Sequence, residues 1–194
     1  MGRSTLHSAD ALLDAAVALF AAGGVRAVTM AAVAREAGAP SGSVYHRFPD
    51  RGSLLAELWQ RTARDFETAY RAELGARPTS AAAVGAAVWV VEWCVEHPGR
   101  AAVLNAGAGA FEPRTWPTAA RQAHAAGARA RDDDLASLVD SVATSAEVAH
   151  DEVAFAMVGL PIAVVSHHLR VPEPVPRGAA DLVRRLASRI LGAG

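Results

Sequence analysis

The stretch "TMAAVAREAGAPSGSVYHRF", residues 29–48, reads as two short helices separated by a tight turn. Thr29 can cap a helix that carries Met30, Val33, Ala34 and Ala37, and Gly38 closes it, because glycine takes a left-handed conformation at little cost. Pro40 and Ser41 can open the next helix, since proline fits a first turn whose N–H has no partner in any case. Pro49-Asp50 breaks that helix after Phe48. Within it Val44 and Phe48, four residues apart, supply one narrow apolar stripe. Ser41, Gly42, Ser43, Tyr45, His46 and Arg47 are left largely outward.

Upstream, Leu12, Ala15, Ala16, Leu19 and Phe20 recur at helical spacing from Ala11 to Ala22, and Gly23-Gly24 ends the pattern. Three short helices with a turn at Gly38-Ala39-Pro40 match a helix-turn-helix, whose second helix packs through a narrow stripe and offers its other face to the major groove of DNA. The outward residues suit that use. Gly42 lets the backbone approach closely, and the hydroxyls of Ser41 and Ser43 can pair with base edges or phosphates. Thr29 and Tyr45 can donate to phosphates, His46 and Arg47 can reach a base or a phosphate, and Arg51, after the break, can clamp the backbone.

The run "ALLDAAVALFAAGGVRAVTMAAVAREAGAPSGSVYHRFPDRGSLLAELW", residues 11–59, resembles the N-terminal DNA-binding module of TetR-family transcriptional regulators. The spacing "LF..GG...VT...VA..AG......VY..F.....LL" matches at nearly every framework position. The resemblance implies an all-α protein with two parts. A three-helix helix-turn-helix DNA-binding domain would occupy residues 1–51, and a larger helical ligand-binding and dimerisation domain residues 52–194. It also places Thr29, Ser41, Gly42, Ser43, Tyr45, His46 and Arg51 at DNA-contact positions. Ser41 and Arg51 stand where the family often has Lys, and Pro49 replaces another frequently basic position, so the number of phosphate contacts, and with it the salt dependence, departs from the family pattern.

Beyond Pro49 the periodicity of Leu54, Leu55, Leu58, Thr62, Phe66, Ala69, Tyr70 and Leu74 predicts a long helix over 52–74 connecting the two domains. The next, over 80–97, is apolar nearly all round in "AAVWVVEWCVEH" and is expected to be buried. A short helix over 100–110, a loop at "FEPRTWP" and an Arg- and Ala-rich helix over 118–142 follow. Another apolar helix spans 151–169 with a kink at Pro161. The Pro-rich "VPEPVP" leads to a last helix over 179–191, with Leu182, Val183, Leu186 and Ile190 on one face. These last two helices are the expected homodimer interface, a four-helix bundle across a two-fold axis in the resembled family.

Composition sets the remaining bounds. All 19 basic residues are Arg, and the formal net charge is −1, so any nucleic-acid contact rests on a local patch. No apolar run approaches the roughly 18 residues that cross a bilayer. The start "MGRSTLHSAD" has no apolar signal core, and Cys94 is the one cysteine, so a cytoplasmic protein without a disulfide framework is expected.

For a small-molecule effector, Trp89 and Trp93 share a helix face beside Glu92 and Glu96. With Phe111, Trp116, Cys94, His97 and Met157 they could line an apolar pocket, and aromatics next to acids would suit a cation. The alternative is that the tryptophans are core and the glutamates face solvent or pair with Arg. Catalysis has weak support. Cys94 and His97 lie three apart but in an apolar run, adjacent His167 and His168 point to different helix faces, and His124 stands alone. No phosphate loop or nucleophile elbow is present, so no enzyme, cofactor or metal site is expected. A protein-interaction module reusing this fold without DNA leaves the outward set from Ser41 to Arg47 unexplained. The mechanism expected is a repressor whose dimer holds two reading helices about 34–36 Å apart on a palindromic operator, with ligand shifting the 52–74 helix to misplace them.

Overall fold

A computed structural model describes residues 8–170 and 175–193, apart from the side chains of His167 and Arg170. In chain order its helices are α1 (Ala9–Gly23), α2 (Met30–Glu36), α3 (Ser41–Arg47), α4 (Arg51–Leu74), α5 (Ser80–Glu96), α6 (Pro98–Ala106), α7 (Thr118–Ala146), α8 (His150–Ala154), α9 (Leu160–Arg170) and α10 (Ala179–Ile190). Among the described residues there is no strand, and the chain divides into two compact units. One comprises residues up to Arg64 together with Gly99–Ala126; the other comprises Asp65–Pro98 and the residues from Gly127 onward.

The first unit is organised by its caps. Ser8 Oγ accepts from the Ala11 N–H at 3.1 Å and Thr29 Oγ1 from the Ala32 N–H at 3.1 Å, each cap contributing about 1 kcal/mol to its helix. The turn after α2 is a Schellman closure. Gly38 takes φ 61°, the Ala39 N–H donates to the Ala34 carbonyl at 2.8 Å, and the Gly38 N–H donates to that of Arg35 at 3.2 Å. Pro40 then holds the cap position of α3 with Ser41 as the first helical residue, and no side chain caps this helix. Leu12, Ala16, Phe20, Val28, Val33, Val44, Phe48, Leu54, Leu55 and Leu58 are buried together.

That core does not end at the expected boundary after residue 51. Phe111 and Trp116 are fully buried in it. Phe111 stacks on Phe20 with ring centroids 4.8 Å apart and lies 5.7 Å from Trp59, while the Trp116 indole N–H donates to the Phe111 carbonyl at 2.7 Å. Burying two such rings outweighs the loop-closure cost of bringing distant sequence to the helix-turn-helix, which grows only with the logarithm of loop length. The expected loop "FEPRTWP" is correspondingly ordered into two 3₁₀ turns, Ala108–Phe111 and Pro113–Thr115. The short helix before it starts at Pro98 and stops at Ala106 rather than Ala110, because Gly107 turns the chain with φ 71°.

In the second unit Thr79 Oγ1 caps α5 through the Ala82 N–H at 3.2 Å. As its composition predicts, α5 is buried on most sides, including Val84, Val88, Val91, Trp93 and Cys94, and it packs on α9 and α10. Helix α7 continues to Ala146, past the expected end at Val142. A kink is expected at Pro161; what the structure shows near it is a π turn over Phe155–Gly159, immediately before α9. Proline has no N–H for the carbonyl four residues earlier, which is that of Met157. The Tyr70 hydroxyl donates to this carbonyl at 3.2 Å.

The apolar face read for α10 is divided. Val183 and Ala187 are buried, with Ala179 before them and Leu191 after, whereas Leu182 is exposed. Residues 171–174 of the expected Pro-rich link lie outside the described residues. Among the described residues no single helix is long and apolar enough to cross a membrane.

Candidate nucleic-acid interface

The sequence-predicted contact residues gather on one short element and its approaches. In α3 Val44 is wholly buried and Phe48, the residue that ends it, is 5% exposed. Their burial, about 1.5–3 kcal/mol each, fixes the rotation of the helix about its axis. Ser41, Gly42, Tyr45, His46 and Arg47 are consequently exposed, Tyr45 by 56%, while Ser43 is half-buried rather than fully outward. A Cβ at Gly42 would meet nothing within 4 Å, so no packing within the protein demands glycine there. Arg47 also borders an open cavity of about 530 Å³ with Asp10, Arg61 and Arg64.

Thr29 is exposed and uses its Oγ1 as the acceptor that caps α2, which leaves its O–H proton available to a phosphate. At the start of α4 the Asp50 carboxylate accepts from the Ser53 N–H at 2.7 Å, and this backbone hydrogen bond holds its pKa below the usual aspartate value.

Arg51 departs from the phosphate-clamp expectation. Its Nε donates to the Val28 carbonyl at 2.8 Å, Nη2 to the Val25 carbonyl at 2.8 Å, and Nη1 pairs with Glu112 Oε2 at 2.6 Å. Every nitrogen of the guanidinium is engaged within its own unit. Glu112, which the sequence did not single out, adopts the left-handed conformation (φ 54°, ψ 54°). A non-glycine residue at positive φ leaves no mark in a sequence.

The expected ligand set is divided. Phe111 and Trp116 belong to the core of the first unit and do not join Trp89 and Trp93. In the second unit Phe66, Tyr70, Trp89 and Trp93 form an aromatic cluster, Phe66 lying 4.9 Å from Trp93 and 5.5 Å from Trp89, and Tyr70 6.2 Å from Trp89. Met157 is fully buried, whereas Glu92 and Glu96 are exposed. The acids therefore do not complete an aromatic box for a cation. In sequence Phe66 and Tyr70 are stripe residues of a helix, and their i, i+4 spacing is the available signal.

Cys94 is buried, and burial pushes its thiol up to about 11, the opposite of an activated nucleophile. Burial likewise raises the Tyr70 phenol. The His124 ring packs edge-on to Trp116 at 5.3 Å. The His167 side chain lies outside those described. Among the described residues no group of three or more His, Cys, Asp or Glu is placed to hold a metal ion.

Two short helices locked by a Schellman turn, the second offering polar side chains over an apolar anchor, define a helix-turn-helix protein. Residues 12–58 match the family model of the bacterial regulatory proteins of the tetR family. The HTH-type transcriptional regulator AcrR of Shigella flexneri is 30% identical over 41% of this chain and 40% of its own length, so the match spans well under two thirds of that relative. Among solved structures, a tetR-family regulatory protein from Rhodococcus RHA1 superposes with a TM-score of 0.72 over 99% of this chain and 100% of its own, at 21% identity. The fatty acid degradation regulator FadR of Bacillus halodurans does so with 0.70 over 100% and 98%, at 17% identity. The ketosteroid transcriptional regulator KstR2 of Mycobacterium tuberculosis gives 0.67 over 95% and 93%, at 18% identity. The segment 12–58 thus matches the helix-turn-helix module of tetR-family regulators. The fold of the chain, an N-terminal helix-turn-helix followed by further helices, is that of these regulators.

Proposed function

We propose that this protein is a sequence-specific repressor of transcription that binds a palindromic operator as a homodimer and leaves it when a small molecule enters its C-terminal helices. The observation that carries the reading is α3, where buried Val44 and Phe48 hold Ser41, Gly42, Tyr45, His46 and Arg47 outward. An apolar anchor beneath a continuous polar and basic face is what groove entry requires, and a net charge of −1 leaves such a local surface as the route to DNA. The proposed contacts are Thr29, Ser41, Gly42, Ser43, Tyr45, His46 and Arg47. Arg51 is left out because each of its three nitrogens already donates within the first unit.

Homodimerisation is supported by large apolar side chains exposed on the C-terminal helical segments: Phe155 by 51%, Ile162 by 50% and Leu182 by 38%. The effector site is proposed at Phe66, Tyr70, Trp89, Trp93 and Met157. With Glu92 and Glu96 turned to solvent, an apolar or aromatic ligand suits it better than a cation. The rings pack closely, so a ligand must part them.

Exchanging Tyr45 and His46 together for Ala is expected to abolish retention of operator DNA in a gel-shift assay while sedimentation still shows the dimer. Unchanged retention would sink the assignment.

A further inference from the structure

We propose that Glu112 is a positioning residue for DNA reading, holding the Arg51 guanidinium in the orientation that fixes the turn ahead of α2. The inference rests on the DNA-binding role proposed above. Arg51 is the hub of the arrangement. Its Nε and Nη2 donate to the carbonyls of Val28 and Val25, which bracket the 3₁₀ turn Val25–Ala27 directly before the α2 cap Thr29. A planar guanidinium that makes these two bonds has one edge left, and Glu112 Oε2 occupies it at 2.6 Å from Nη1. The carboxylate thus selects, through Arg51, where α2 begins, and the Schellman turn passes that placement to α3.

Glu112 is itself held firmly. Its carbonyl accepts from the Thr115 N–H at 2.8 Å and from Thr115 Oγ1 at 2.9 Å, and it follows Phe111, whose ring is sealed in the core. Beside Arg51, a Cβ added at Gly52 would collide with the Thr115 carbonyl, so the first turn of α4 sits directly on the turn Pro113–Thr115. The carboxylate therefore rides on a rigid base.

Two magnitudes argue against a purely stabilising role. The Arg51 and Glu112 side chains are 31% and 40% exposed, and ion pairs this accessible contribute little to stability. Glu112 also occupies a left-handed conformation that glycine adopts without strain. Glycine would relieve that strain at some cost in chain entropy. What glutamate adds at this position is the carboxylate.

The test uses the full chain and duplexes that it selects from a random-sequence pool. Glu112→Gly relieves the backbone and removes the carboxylate. It is expected to keep or raise the melting temperature yet weaken binding to the selected duplex by about threefold to fivefold, with binding to a scrambled duplex unchanged. Glu112→Asp, which keeps the charge, should recover part of the loss. Glu112→Gly binding within twofold of the parent overturns the inference and leaves the DNA-binding role intact. So does a loss of affinity that merely tracks a lower melting temperature, or Glu112→Asp behaving no better than Glu112→Gly. If the parent chain enriches no duplex at all, the DNA-binding role itself fails, and this inference with it.

Discussion

The molecule holds two aromatic clusters of nearly the same composition and opposite character. In the first unit Phe20, Trp59, Phe111 and Trp116 come from distant parts of the chain, and the last two are sealed from solvent. In the second, Phe66 and Tyr70 are one turn apart on α4 and Trp89 and Trp93 one turn apart on α5, and only Trp93 is fully buried. One cluster is a keystone under the reading helices. The other is a face that two helices present by simple repetition, with rings still partly accessible. Aromatic content alone did not separate them; the depth of burial and the origin of each ring did.

The largest test of this contrast is the pair Trp116→Ala and Trp89→Ala. Removing a fully buried tryptophan should cost about 3–5 kcal/mol and unfold the first unit near room temperature. Removing a half-buried one should cost about 1–2 kcal/mol and chiefly alter the response to effector, leaving the DNA affinity of the ligand-free protein unchanged. Equal losses in denaturant titrations would mean that both clusters are plain core.

A second test concerns the polar handle that only the second cluster places against the π turn. Tyr70→Phe keeps the ring and removes the donor to the Met157 carbonyl, and a loss of about 1 kcal/mol is expected from urea midpoints. No loss would show that the carbonyl at the π turn finds another donor.

A third test lies in pH. Burial lifts the Cys94 thiol from 9.0 to about 11, so between these values the unfolded chain gives up a proton that the folded one retains. Stability should therefore be whole below pH 9 and fall as pH rises toward 11, and Cys94→Ala should flatten that part of the decline. At neutral pH the thiol should react slowly with alkylating reagents. Fast labelling would mean that α5 opens readily.

What was legible in the sequence followed from local rules. Periodicity and glycine stops gave α1, the Thr29 cap and Gly38 gave α2 and its turn, and the spacing of Val44 and Phe48 gave the rotation of α3. What was not legible depended on distant partners. "FEPRTWP" has no period and so looked like a loop, although its rings complete a core begun at Leu12. In sequence Phe111 and Trp116 group with Trp89 and Trp93 because aromatic residues share a chemistry, and only tertiary contacts distinguish their homes. Arg51 looked like a phosphate clamp because a basic residue after a break often is one. Its true acceptors are two backbone carbonyls, which carry no sequence signal, and a glutamate far along the chain. Pro161 marks in sequence a disturbed helix, but not that the disturbance is a π turn.

The dependence of the first unit on Phe111 and Trp116 also sets a timetable for biosynthesis. The helix-turn-helix leaves the ribosome before the residues that complete its core, Gly99–Ala126, which follow only after the intervening stretch Asp65–Pro98. At ordinary elongation rates of about 5–20 residues per second, the nascent reading head waits for seconds without its keystone. A fragment cut after residue 51, or a chain stalled before Trp116, would therefore display α3 without holding it. A firmly held α3 is in this way withheld until Trp116 has been made.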